Sequence, residues 1–129
     1  MTSPRVLEKT VQAQILHLLR SVGAKVWVTG VPRRRGDFQG AMRTPGLPDL
    51  LAFVPPPKPT DPFIGWTLLC VEVKARGGRL REEQADFASC CLNADVAHIV
   101  GGLAEVIAWL LRRGLVRDEQ LPHYRQESA

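Results

Sequence analysis

Two acidic residues and a lysine stand at the ends of two predicted strands, where they could act together on a bound cation. Glu72 and Lys74 lie in a strand candidate at residues 65–75, in which side chains two apart share a face. Asp49 directly precedes a second strand candidate at residues 50–54. If these strands are neighbours, Asp49 lies near Glu72. Paired carboxylates beside a lysine suit a divalent metal and an activated water.

The sequence around these residues resembles that of the VRR-NUC branch of the PD-(D/E)XK nuclease superfamily. The segments that carry the resemblance are, in order, Gly46-Leu47-Pro48-Asp49, Val71-Glu72-Val73-Lys74, Gly77-Gly78-Arg79-Leu80 and Gln84. A lone Pro-Asp or Glu-x-Lys occurs often by chance, whereas the ordered set is much more specific. The resemblance covers residues 7–111 in element order.

This resemblance implies a site that hydrolyses phosphodiesters with Mg²⁺ or Mn²⁺. The residues that it assigns to the metal are Asp49, Glu72, the carbonyl of Val73, and Glu8 from the first helix. Lys74 would position or deprotonate the attacking water and offer positive charge to the transition state. Gln84 would orient the lysine, the water or a phosphate. From the residues alone, Glu8 also fits a solvated glutamate of a helix's first turn, and Gln84 an exposed helix residue.

Basic side chains precede and follow the acidic pair. Residues 30–48 contain too many glycines and prolines for regular structure. The arginines of this loop and of the turn after the third strand are Arg33, Arg34, Arg35, Arg43, Arg79 and Arg81. Guanidinium groups bind phosphate through paired donors, so we expect them to contact a nucleic-acid backbone. The alternative is a solvated charge run. The family often has serine or threonine where Arg81 stands, so the helix cap departs from the pattern here.

Hydrophobic periodicity predicts seven elements. Helices are expected at residues 4–23 (with Ser3 as N-cap), 82–92 and 103–113, and strands at 24–29, 50–54, 65–75 and 96–100. This order predicts an α/β fold with a restriction-endonuclease-like αβββαβα core, in which helices flank a mixed central sheet. We expect one nuclease domain at residues 1–114, followed by a polar tail at 115–129 that frays.

Composition excludes several classes of protein. With 129 residues, 45% of them hydrophobic and 23% charged, the chain fits one globular domain. No apolar run approaches the ~20 residues that cross a bilayer. A net charge of +4 is compatible with a polyanionic partner. Cys70, Cys90 and Cys91 lack metal-site spacing, so they are expected to be reduced and intracellular and to pack as small hydrophobes. The resemblance to stand-alone phage and bacterial proteins implies the cytoplasm of a bacterial or phage-infected cell.

The resemblance also implies a substrate and an assembly. Stand-alone VRR-NUC proteins resemble Holliday-junction resolvases, which act on branched DNA as homodimers, and a small domain has little room for a sequence-reading module. Cutting of flap or nicked DNA stays open. A different class of function is a non-catalytic nucleic-acid-binding module, in which Asp49, Glu72 and Lys74 form a structural ion-pair cluster. A purely structural interaction protein would leave the basic loop unexplained.

Overall fold

Three helices and four strands follow one another in the order that the sequence predicts. A computed structural model describes residues 4–30, 44–57, 65–117, 119 and 121. Its elements are α1 Pro4–Ser21, β1 Lys25–Val28, β2 Leu50–Val54, β3 Thr67–Val73, α2 Glu82–Asn93, β4 Ala97–Gly101 and α3 Leu103–Arg112. The predicted N-cap Ser3 lies outside the described residues. Most predicted boundaries differ by one or two residues, and β2 agrees at both ends.

The four strands form one mixed sheet in the order β1, β2, β3, β4. β2 pairs antiparallel with both β1 and β3, whereas β3 and β4 run parallel. A parallel pair needs a long crossover, and α2 is the helix within it. The predicted α/β fold with a mixed sheet is therefore confirmed.

The hydrophobic core lies between one face of this sheet and the helices α1 and α3. Alternate residues of β2 and β3 point to that face because the side-chain period of a strand is two. The buried core residues include Ile15, Leu18 and Leu19 of α1, Leu50, Ala52 and Val54 of β2, Leu69, Val71 and Val73 of β3, and Val106, Ile107 and Leu110 of α3. Within the part of the chain that the structure describes, no helix could span a membrane.

Two sequence expectations about packing are wrong. Val116 and Leu121, placed by the sequence in a fraying tail, are buried in the core. Cys90, which the sequence predicts to pack as a small hydrophobe, is exposed, and Leu92 on the same helix is 82% exposed. Successive helical residues are ~100° apart around the axis, so Cys90 and Leu92 lie on either side of Cys91, which is buried. Apolar spacing on a short helix cannot show which of its faces is covered.

The opposite face of the sheet is only partly covered. α2 packs there against β4, where the rings of Phe87 and His98 have centroids 6.0 Å apart. Burial lowers the pKa of His98 below its ordinary value, so its imidazole is neutral at pH 7. Burial also raises the pKa of the Cys70 thiol on this face to about 12, in keeping with a small hydrophobe. The β1 and β2 half of this face is more open.

Candidate active site

Asp49 is held beside β3 because β2 pairs with that strand. Leu50 lies opposite Val71, so Asp49 lies next to Glu72 in the continued register. The Asp49 Oδ2 atom accepts a hydrogen bond of 2.8 Å from the backbone N–H of Val73. On the other side of β2, the N–H of Thr29 donates to the Asp49 carbonyl at 3.0 Å. The neighbourhood that the sequence predicts for Asp49 and Glu72 is therefore present.

The proline before Asp49 has a role that follows from its missing N–H. Continuing the register by two residues places Pro48 opposite Val73. In a regular antiparallel ladder, the residue at position 48 would donate to the carbonyl of Val73. Proline has no N–H to donate, and the Pro48 carbonyl accepts from the Thr29 hydroxyl. The Val73 carbonyl therefore receives no backbone hydrogen bond from position 48.

Glu72 is a buried carboxylate surrounded by polar groups. Only 3% of the residue is exposed. Its Oε1 atom lies 3.8 Å from the Lys74 ammonium and accepts a hydrogen bond of 2.6 Å from the Gln84 amide. Lys74 shares a strand face with Glu72, and its own N–H donates to the Gly101 carbonyl of β4 at 2.9 Å. A buried charge needs such partners.

Gln84 connects the acidic pair to the start of α2. Its Oε1 atom accepts a hydrogen bond of 2.8 Å from the backbone N–H of Arg81, the N-cap residue, while its amide nitrogen donates to Glu72. These partners define which end of the amide is oxygen, because a backbone N–H only donates and a carboxylate accepts. The Arg81 side chain makes no capping hydrogen bond. Gln84 therefore caps the helix and is buried, unlike an ordinary exposed helix glutamine.

One cavity of about 300 Å³ collects most of the predicted site residues. Its walls include Glu8, Asp49, Glu72, Val73, Lys74, Arg81 and Gln84. Glu8 reaches it from α1, and its Oε1 atom accepts a hydrogen bond of 3.2 Å from the Ala75 N–H. This hydrogen bond connects Glu8 to Ala75, the residue that follows Lys74.

Other predicted phosphate contacts do not line this cavity or cannot be placed. Arg79 is exposed on the turn between β3 and α2 and is not among the lining residues. Arg33, Arg34, Arg35 and Arg43 lie outside the described residues. The sequence reasoning missed Glu83 and Thr44, which do line the cavity. The acidic first turn of α2 was a signal for Glu83, because that residue immediately precedes Gln84.

The donor atoms in the cavity fit a hard divalent cation. Carboxylate and carbonyl oxygens are the ligands that Mg²⁺ takes from proteins, and Asp49, Glu72, Glu8 and the Val73 backbone offer such oxygens there. As the side chains stand, no group of three or more His, Cys, Asp or Glu within the described ranges is arranged to hold a metal.

The fold and the acidic cavity are those of a nuclease-type α/β domain. A family model of the VRR-NUC domain matches residues 2–106, so the chain belongs to the VRR-NUC family. A solved structure described as a VRR_NUC domain is similar with a TM-score of 0.54 and 21% sequence identity. The match covers 81% of this chain and 94% of that one. Curated proteins show no match.

Proposed function

We propose that the protein is a metal-dependent endonuclease that cuts branched DNA in the manner of a Holliday-junction resolvase. The observation that carries this proposal is the cavity in which Asp49, Glu72 and Lys74 lie together, beside Glu8 and Gln84. Membership of a nuclease-type family and a net charge of +4 support it. The proposal includes a homodimer, because a four-way junction presents two strands to be cut, and action in the cytoplasm of a bacterial or phage-infected cell.

The chain's own residues suggest how catalysis proceeds. Asp49, Glu72, Glu8 and the Val73 carbonyl would hold Mg²⁺ or Mn²⁺, and the bound ion would supply Lewis-acid charge that makes a water easier to deprotonate. Gln84 holds the Glu72 carboxylate in one orientation by its hydrogen bond. Lys74 directs the attacking water and places positive charge where the phosphate becomes more negative.

A second candidate function is a nucleic-acid-binding module without catalysis. The observation that favours it is that Oε1 of Glu72 is already engaged by Lys74 and Gln84, as in a structural ion-pair cluster. Such clusters also place charged groups in clefts. Requirement for a metal separates this module from a nuclease.

The experiment that tests the proposal is cleavage of a panel of labelled DNAs. A four-way junction, a 5′-flap, a nicked duplex and a linear duplex are incubated with Mg²⁺, Mn²⁺ or EDTA. We expect metal-dependent, symmetrical cutting of the junction and little cutting of the linear duplex. Preferred cutting of flap or nicked DNA would keep the nuclease and replace the resolvase. DNA binding with no cutting in either metal would favour the binding module.

A further inference from the structure

Two exposed aromatic rings stand on the open half of the sheet. Trp27 of β1 is 57% exposed and Phe53 of β2 is 44% exposed. Their ring centroids are 5.7 Å apart, and their planes meet at 88°. We call this pair the aromatic platform. Large apolar surfaces left uncovered in this way often mark sites of interaction.

The aromatic platform lies on the same sheet face as the acidic pair. Trp27 of β1 pairs with Leu51 of β2, and Leu51 pairs with Cys70 of β3. Cys70 and Glu72 are two residues apart on β3, so their side chains share this face. Trp27 is also two residues before Thr29, whose N–H donates to the Asp49 carbonyl. At ~3.4 Å per residue, this separation is ~7 Å along the strand.

Positive charge adjoins the aromatic platform. A cavity of about 390 Å³ beside β1 is lined by Arg20, Lys25 and Trp27, together with Gly23, Ala24 and Val26. Both cationic residues are exposed, and none of these lining residues is acidic. A surface that combines an exposed indole with two cations is complementary to a ligand that carries both phosphates and flat apolar rings.

The same charges disfavour a second copy of this chain as the occupant. A two-fold interface places the same patch on both subunits. Among the described residues, the patch around Trp27 offers Arg20 and Lys25 but no acidic lining residue to pair with them. Two copies would therefore bring like charges together, which opposes association.

We propose that the aromatic platform stacks against an unpaired or terminal base at the branch of a DNA substrate, while Arg20 and Lys25 bind the adjacent phosphates. This inference rests on the proposed nuclease function and names a determinant of its substrate choice. In a continuous duplex each base face is covered by its neighbours. A branch point exposes a base face, so branched DNA gains a contact with Trp27 and Phe53 that the interior of a linear duplex does not offer.

The test is the binding and cutting of a four-way junction that carries 2-aminopurine at the branch, beside a linear duplex of the same sequence. Binding is measured in EDTA with Trp27→Ala, Phe53→Ala and Trp27→Phe. We expect Trp27→Ala to weaken junction binding by roughly 5- to 100-fold, the range for loss of a stacked aromatic, and to weaken linear duplex binding much less, because that duplex exposes base faces only at its ends. Trp27→Phe keeps an aromatic ring, so it should bind the junction with most of the wild-type affinity. It should also give most of the change in 2-aminopurine fluorescence that the wild type gives on binding.

Matched variants separate the stacking contact from general effects. Leu92→Ala removes another exposed apolar side chain from α2 and should change nothing. Lys25→Ala should weaken binding to all DNAs and lower the slope of log affinity against log salt by about one, whereas Arg112→Ala on α3 should not. Thermal melting shows whether each variant is folded.

The outcomes separate this inference from the proposed function. If the wild type cuts junctions and Trp27→Ala retains its full preference for them, the aromatic platform is not a base contact and the nuclease proposal stands. If Trp27→Ala turns a dimer into a monomer in sedimentation, the platform is a protein interface and our inference is wrong. If the wild type neither binds nor cuts DNA, both proposals fail.

Discussion

At the residue scale, the site depends on a few side chains with two tasks each. The Asp49 carboxylate accepts a hydrogen bond from the Val73 N–H and thereby connects the start of β2 to β3. The same residue lies next to Glu72 in the strand register. Gln84 caps α2 and holds Glu72. Side chains that both hold the fold together and shape a site are positioned by fixed hydrogen bonds, which is what preorganised chemistry requires.

Replacement of Gln84 tests this double task. Gln84→Ala removes the donor to buried Glu72 and the acceptor for the Arg81 N–H, so we expect a loss of ~1–3 kcal/mol in the free energy of unfolding. Cleavage should fall by about 10- to 100-fold, as for other partners that orient a ligand. Urea denaturation and the cleavage rate measure the two effects.

Gln84→Glu is the informative companion to that variant. It keeps an oxygen for the Arg81 N–H but sets a second carboxylate against Glu72, which disfavours ionisation of the pair. We expect cleavage to be lost while the helix cap remains. Cleavage at the wild-type rate by either variant would contradict a positioning role for Gln84.

At the element scale, the loop before β2 packs against the first turn of α2. A Cβ atom added at Gly46 would lie 2.5 Å from the Glu83 carbonyl oxygen, and the backbone there has a φ of +91°. A side chain at this position would push the loop away from the helix that carries Gln84. The glycine of the Gly46-Leu47-Pro48-Asp49 segment therefore joins two walls of the cavity.

Three glycine-to-alanine variants separate the effect of a steric clash on stability from the effect of a positive φ. Gly46→Ala combines the clash with a strained φ. Gly77→Ala has a φ of +83° without a described residue within 4 Å, and Gly65→Ala has neither a positive φ nor a described residue at that distance. We expect loss of thermal stability in that order, by roughly 1–3 kcal/mol where φ is positive. Only Gly46→Ala should also lose cleavage. Equal stability of Gly46→Ala and Gly65→Ala would contradict the close packing.

The sequence predicts the elements better than it predicts their neighbours. A short apolar run predicts β2 at its observed bounds, and pairing of the strands that carry Asp49 and Glu72 was enough to predict that these residues lie together. Spacing could not show that Gln84 bonds to Glu72, because that contact depends on how α2 docks. It also could not show that Leu121 reaches the core while Leu92, Trp27 and Phe53 stay exposed. Periodicity identifies an apolar face but not the element that covers it.

At the scale of the whole molecule, burial of His98 under α2 links stability to pH. Its pKa is lower in the folded protein than the ~6.5 of an unfolded chain. Below about pH 6.5 the unfolded state therefore binds more protons, and the free energy of unfolding should fall as the pH decreases. Above that pH the contribution is complete.

Urea denaturation between about pH 5.5 and 8 measures this dependence. His98→Phe places a side chain that does not titrate next to Phe87. It should therefore reduce the dependence of the free energy of unfolding on pH in the acidic part of this range. A profile of His98→Phe that parallels the wild type would show that this burial does not control stability in that range.

The central claim is that the cavity around Asp49, Glu72 and Lys74 cuts DNA with a metal. The most direct measurement compares single-turnover cleavage of a four-way junction by the wild type, Lys74→Ala and the exposed-lysine control Lys9→Ala, each with Mn²⁺ or EDTA and with binding followed in parallel. We predict that Lys74→Ala binds the junction but cuts at least ~100-fold more slowly, that Lys9→Ala cuts normally, and that EDTA abolishes all cutting. Cutting by Lys74→Ala at the wild-type rate, or cutting that survives EDTA, would contradict the account.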